Sequence, residues 1–147
     1  MNLDLFDAEV KNQIKGRFQR LTSDTRAHWG KMNVSQMMLH CTRQLRVALG
    51  HDTIKPSLVA RLFGSWARKK VLDDKPFQHS FPTAPSFIIR EQPDFEKTRT
   101  ALLELIDQFS ATTVSNDPHP LFGIMSPEEW SRATWKHLDH HLKQFGN

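Results

Sequence analysis

The stretch "WKHLDHHLKQFG", residues 135–146, places three histidines in five positions and a glutamine three residues further on. Two imidazoles four residues apart on a helix have Cβ atoms about 6 Å from each other. At the usual Zn–N distance of about 2.0 to 2.1 Å both can reach one cation, so His137 and His141 form a candidate ligand pair. Spacing alone is a weak signal, because eight histidines in 147 residues give some pair four apart in roughly one shuffled chain in three. A catalytic ion generally needs three protein ligands and a further position open to water or substrate. The third ligand must come from elsewhere in the chain.

A helical wheel at about 100° per residue puts Trp130, Thr134, His137, His141 and Gln144 in one sector of about 80°. Arg132, Lys136, Asp139 and Lys143 gather opposite, which predicts a buried stripe and a solvated one. His140 falls at the edge of the buried stripe, suiting it to a rim position beside the ligands. His40 is the best third ligand, since it shares the inward side of another amphipathic segment with Gln44, one turn on. Gln44 and Gln144 could orient a ligand or donate to an oxyanion, or simply line the bundle. His28, His51, His79 and His119 lie in loops or turns, where no pattern aims them at a core; His119, beside Pro118 and Pro120, could still reach the site as an acid or base. A lone inward histidine is more often a core residue bonded to backbone. Several converging imidazoles must stay neutral or find a strong partner, and a bound cation provides one. The helix end near Gly146 adds partial negative charge beside His141.

Helices must position these groups. Phe6, Val10, Ile14, Phe18 and Leu21 recur at three- and four-residue steps, predicting a helix over roughly 5–22 with Asp4 or Asp7 as its cap. Asn33 with Gln36 predicts a capping box for a second helix, running through Met37, Cys41, Leu45 and Ala48 until Gly50 stops it. A shorter helix is expected over 56–72, starting on Pro56. Within it "RLFGSWARKK", 61–70, reads as an amphipathic helix with a solvated basic face. Prolines 76, 82, 85 and 93 exclude regular structure from most of 73–94, yet Phe77, Phe81, Phe87, Ile88 and Ile89 are too many apolar groups for a solvated tether. That segment should pack as an ordered excursion. A further helix over Asp94–Ser110 would bury Phe95, Leu102, Ile106 and Phe109, and Ser126, Pro127 and Glu129 mark the start of the last one. The pattern predicts an all-α fold: a four-helix bundle with an additional short helix and a proline-rich ordered loop, in a single domain over 1–147.

The totals bound the function. An apolar share of 38% and a charged share of 24% suit a soluble globular chain, and neither a long apolar run nor a signal-peptide pattern occurs, so the expected location is the cytoplasm with no membrane partner. A formal charge of +4 is modest and scattered, which argues against a specific nucleic-acid partner. One cysteine, Cys41, excludes an internal disulfide and a cysteine-based zinc knot. It follows His40 and so points about 100° away around the helix, which leaves no Cys/His pair.

"WGKMNVSQMMLHC" at 29–41, "HPLFG" at 119–123 and "EEWSRATWKHLDHHLKQFG" at 128–146 resemble a group of uncharacterised proteins in the DinB-like superfamily, over nearly the whole chain. The resemblance implies a four-helix bundle that holds a divalent metal through three histidines, here His40, His137 and His141. It leaves zinc, nickel and iron open. Members of the superfamily include metal-dependent thiol transferases and isomerases and proteins that look like hydrolases, so a small-molecule substrate is expected, and bundles of this sort commonly pair as homodimers. Two functions stay open: an enzyme in which the ion activates water or a thiol, and a binding or structural protein whose metal ties helices together. A basic pocket from Arg43 or Arg46 could hold an acidic substrate.

Overall fold

Four side chains turn an oxygen onto the backbone N–H groups that a helix leaves unpaired in its first turn: Asp7, Asn33, Asp94 and Ser126. The structure, a computed structural model, describes residues 3–56, 58–79, 83 and 85–147. It contains α1 (Ala8–Arg20), α2 (Val34–Ala48), α3 (Leu58–Leu72), α4 (Phe95–Gln108) and α5 (Pro127–Gln144), with no strand among the described residues. The capping boxes of Asn33 with Gln36 and of Ser126 with Glu129 both form. The first helix starts later than the periodicity suggests because Asp4 is used in a turn, its carboxylate accepting from Phe6 N–H at 2.9 Å, while Asp7 makes the cap. Pro56 precedes the described start of α3, which is Leu58.

The all-α bundle is formed by α1, α2, α4 and α5. Both α1 and α2 pack against α4 and α5, so α1 and α2 face each other across the diagonal. Phe18, Met37, Leu45, Leu102, Ile106, Phe109, Leu138 and Leu142 meet at its centre with no solvent exposure. Each such side chain contributes about 1.5 to 3 kcal/mol by leaving water. Between α3 and α4 the proline-rich segment is ordered where described: Pro85–Phe87 makes one 3₁₀ turn against α2, Phe87 and Ile89 are buried, and Phe77 is partly buried. Phe81 and Pro82 lie outside the described residues.

The wheel of α5 needs correcting. Lys136 and Asp139, placed on its solvated stripe, are 6% and 7% exposed. The reason is tertiary: α3 packs along α5 and covers Lys136, while Arg17 of α1 covers Asp139. Lys136 Nζ donates to the carbonyls of Lys70 and Asp73 at 3.0 and 2.9 Å and to the Asp73 carboxylate at 2.9 Å, satisfying the carboxyl end of α3. Asp139 accepts from Arg17 at 2.8 Å and pairs with Lys143 at 2.7 Å. Arg132 is half-buried and pairs with Asp74.

The α3 reading is also half right. Arg61, Lys69 and Lys70 are solvated as expected, but Leu62 and Phe63 are exposed at 77% and 57% rather than buried. The buried side of α3 is made of small residues, Gly64 and Ala67, with Val71. A Cβ at Gly64 would overlap the carbonyl oxygen of Leu121, so the helix can sit this close to the 119–123 loop only with glycine there. Gly64→Ala should therefore lower the unfolding free energy by about 1 to 3 kcal/mol. Gly16→Ala on α1, whose nearest new neighbour is the flexible Arg20 guanidinium at 3.9 Å, should raise it by roughly 0.5 to 1 kcal/mol. Urea denaturation of the two variants measures both, and a neutral Gly64→Ala would mean that α3 does not approach the loop so closely.

Candidate metal centre

The capping box at Asn33 sets the phase of α2, and that phase carries His40 inward with Met37 and Cys41, to 4% exposure. His40 Nδ1 lies 2.9 Å from the carbonyl oxygen of Phe87. A carbonyl only accepts, so Nδ1 carries the proton and Nε2 keeps its lone pair. The ordered excursion thus fixes the tautomer of a residue on another element.

On α5, His141 Nδ1 lies 2.8 Å from Gln144 Oε1, and Gln144 Nε2 donates to the carbonyl of Trp29 at 2.8 Å. The Trp29 carbonyl decides which end of the amide is which. Oε1 must then accept from His141 Nδ1–H, leaving His141 Nε2 as the free lone pair. Gly30, at φ +85°, makes this possible, because a Cβ there would strike Gln144 Nε2.

The three rings converge. Centroids of His40 and His137 are 4.9 Å apart, of His40 and His141 4.8 Å, and of His137 and His141 4.7 Å. One nitrogen from each lies within 4.8 Å of the others, and among the described residues no other trio of potential ligands does this. His40 Nε2 sits 2.9 Å from His137 Nε2. Since His40 Nε2 is unprotonated, His137 Nε2–H donates to it, and the cluster is bridged by one proton in the place where a cation would fit.

Burial dominates the electrostatics. It pushes the His40 pKa down against the pull of the Phe87 carbonyl. It holds His137 well below the usual range, helped by His141 and His40, and takes His141 to about 3, with His40 adding to the effect. All three are neutral at pH 7; His40 and His141 turn a bare Nε2 inward, and His137 joins them as a donor once its ring proton moves from Nε2 to Nδ1. Neutral imidazoles so arranged fit zinc, nickel or iron as ligands.

The cluster forms part of the wall of a cavity of about 280 Å³, lined mostly by apolar groups that include Ile54, Phe87, Leu121, Phe122, Met125 and Trp130. His137 retains surface toward this space although protein surrounds it. Gln44 also lines the cavity, with no hydrogen-bond partner among the described residues. Gln144 lies behind the cluster and orients it. His140 is at the rim as expected, edge-on to Phe77 and Trp29 at 5.7 and 5.9 Å. His79 stacks on Trp29 at 3.8 Å. Arg43 and Arg46 line no part of the cavity: they pair with Glu91 and Asp52, and the charged side chain in its wall is Lys55. Cys41 is fully buried, which pushes its thiol up and removes it as a nucleophile.

His119 departs most from expectation. It is 8% exposed and lines the cavity. Its Nδ1 accepts from the backbone N–H of Leu121 at 2.9 Å and of Phe122 at 3.1 Å, and burial holds its pKa at about 4. It is therefore a neutral ring with a blocked Nδ1, not the general acid or base that a mobile loop histidine could be. Periodicity does not mark the 119–123 loop as cavity wall; its signal in the sequence is "HPLFG", three apolar side chains between a histidine and a glycine. Gly123, at φ +73°, closes it by backbone bonds with His119 of 2.7 and 3.0 Å.

No described helix is long and apolar enough to cross a membrane. Residues 4–147 match the family described as proteins of unknown function, DUF1569. No curated protein and no solved structure matches the chain.

The buried imidazoles also fix a pH dependence. Unfolded histidines titrate near 6.5, whereas the folded pKa falls to about 4 for His119 and about 3 for His141. As pH drops below about 6.5 the unfolded chain binds protons that the folded one refuses, so stability present above that pH is lost on the way down. Asp52 and Asp73, whose carboxylates sit below their usual range, act only at more acid pH. The thermal midpoint of metal-free protein should fall by at least about 5 °C between pH 7 and pH 5, and His137→Gln should flatten the slope. A wild-type profile level across that window would mean that the rings titrate as if in water.

Proposed function

We propose that this chain, which belongs to the DUF1569 family of proteins of unknown function, is a metal-dependent enzyme of the DinB-like kind in which His40, His137 and His141 hold one divalent transition ion. The observation that carries this reading is the convergence of three neutral, orientated imidazoles on the wall of a largely apolar cavity. Zinc and nickel suit the donor set, and iron is compatible with it. When bound, such an ion supplies Lewis acidity toward a water or a thiol, the chemistry of a hydrolase or a thiol transferase.

The chain's own contributions are specific. The Phe87 carbonyl and Gln144 hold two of the rings in the tautomer that leaves Nε2 bare. The apolar wall excludes bulk water, which strengthens every polar contact made inside. Gln44 offers an amide to whatever enters. Cys41 offers no thiol, so in a transferase the thiol comes from a substrate.

A second reading treats the ion as a tie between α2 and α5, the two helices that the ligands join. The cavity beside the ligands favours the first reading, because a purely structural ion needs no open space next to it. Metal analysis of wild type beside His40→Ala, His137→Ala and His141→Ala tests the site, with about one ion per chain expected in the first and none in the others. Equal metal in all four would remove the assignment. Thiol-transfer and ester or amide hydrolysis screens on the loaded protein separate the reactions, and a loaded protein inert in all of them but markedly stabilised by its ion would favour the tie.

A further inference from the structure

We propose that His119 is a fixed, neutral hydrogen-bond donor to a ligand, and that the cavity takes a small, largely apolar molecule carrying a carbonyl-type acceptor oxygen, as in an amide, ester or carboxylate. This rests on reading the cavity as a substrate site and adds to that reading the class of molecule it takes.

The tautomer follows from the loop. Nδ1 receives two backbone N–H groups, so the ring proton is on Nε2. Nε2–H has no acceptor among the described residues, and the residue, 8% exposed, keeps what surface it has in the cavity wall. Buried donors are nearly always paired, and one left open toward a cavity calls for a ligand atom or a water. The ring cannot turn to find another partner. It stacks on Phe122 with centroids 4.2 Å apart and packs against Trp130 at 5.3 Å. Arg68 holds the same loop through the Phe122 carbonyl at 3.3 Å while pairing with Glu129. This is a donor held in place before anything binds, the arrangement that favours an acceptor oxygen most.

The remaining wall selects against other chemistries. Among the described residues no carboxylate lines the cavity, Lys55 is its charged group, and the indole N–H of Trp130 is a second buried donor without an acceptor. With no carboxylate to offset a positive charge and two donors left without an acceptor, the wall disfavours a cationic ligand and favours a neutral or anionic acyl compound. The volume of about 280 Å³ sets the size. A cavity of about 150 Å³ takes a benzene, so one ring with a short acyl chain fits.

The test uses 3-phenylpropanamide and propylbenzene, which share the ring and chain but not the acceptor. Their binding to zinc-treated and chelator-treated protein is measured by calorimetry or ligand-detected NMR. Wild type should prefer the amide by at least about tenfold in both metal states. His119→Asn keeps an acceptor for the Leu121 and Phe122 N–H groups but removes the donor at Nε2. It should weaken the amide about five- to tenfold and the hydrocarbon less than twofold. Equal affinity of wild type for the two probes, or binding of neither, overturns the proposal. So does an amide affinity untouched by His119→Asn, as would follow if Nε2–H serves a water in the adjoining hollow of about 30 Å³. Should that variant fail to fold, the Nε2 resonance of His119 in wild type reads the same contact: it should shift with the amide and not with the hydrocarbon, and no difference between them sinks the idea. Probe binding that passes this test in protein unable to retain zinc would count against the metal reading alone.

Discussion

Charging an imidazole inside this bundle is costly, and much of the surrounding architecture follows from that constraint. Three rings share one interior volume, each kept neutral by burial more than by any neighbour. Neutrality alone would leave each ring free to choose its tautomer. For His40 and His141 that choice is removed by the Phe87 carbonyl, in the connection before α4, and by the Gln144 amide, which is on the last turn of α5 but is itself held by the Trp29 carbonyl. The bundle supplies convergence and the loops supply orientation. A helix by itself could not do both, because its backbone acceptors are already used internally.

Those two contributions differed in how far the sequence disclosed them. Helix starts were legible because capping is local: Asn33 with Gln36 and Ser126 with Glu129 satisfy their own backbone within one turn, whatever the rest of the chain does. The inward phase of His40, His137 and His141 was legible for the same reason, being a matter of 3.6-residue periodicity. Lys136 was misplaced because its burial depends on α3, which covers a face that the wheel assigns to water. A lysine becomes tolerable there only where a helix end offers it three oxygens, and no spacing rule announces that.

The same limit explains α3 and the 119–123 loop. Periodicity assumes that bulky apolar residues are the buried ones, but the contact between α3 and the loop is so close that small residues are selected and Leu62 and Phe63 turn outward. His119 is drawn inside because its Nδ1 replaces a backbone acceptor for two N–H groups of its own turn. This is a local device, yet it is invisible without knowing which way the turn folds. The resemblance rests on "HPLFG" as well as on the motifs of the three histidines, but the spacing that brings the rings together says nothing of how that loop turns its histidine.

Gly30 touches no imidazole, yet the orientation of His141 passes through it. Only a residue without a side chain leaves the Trp29 carbonyl accessible to Gln144, and only that contact tells the amide which end to present. A bulkier residue at that position would release the amide to flip, the ring to swing, and a protonated nitrogen to face its partners. Keeping the three histidines would thus not by itself keep their arrangement, which also passes through a glycine in the connection between α1 and α2.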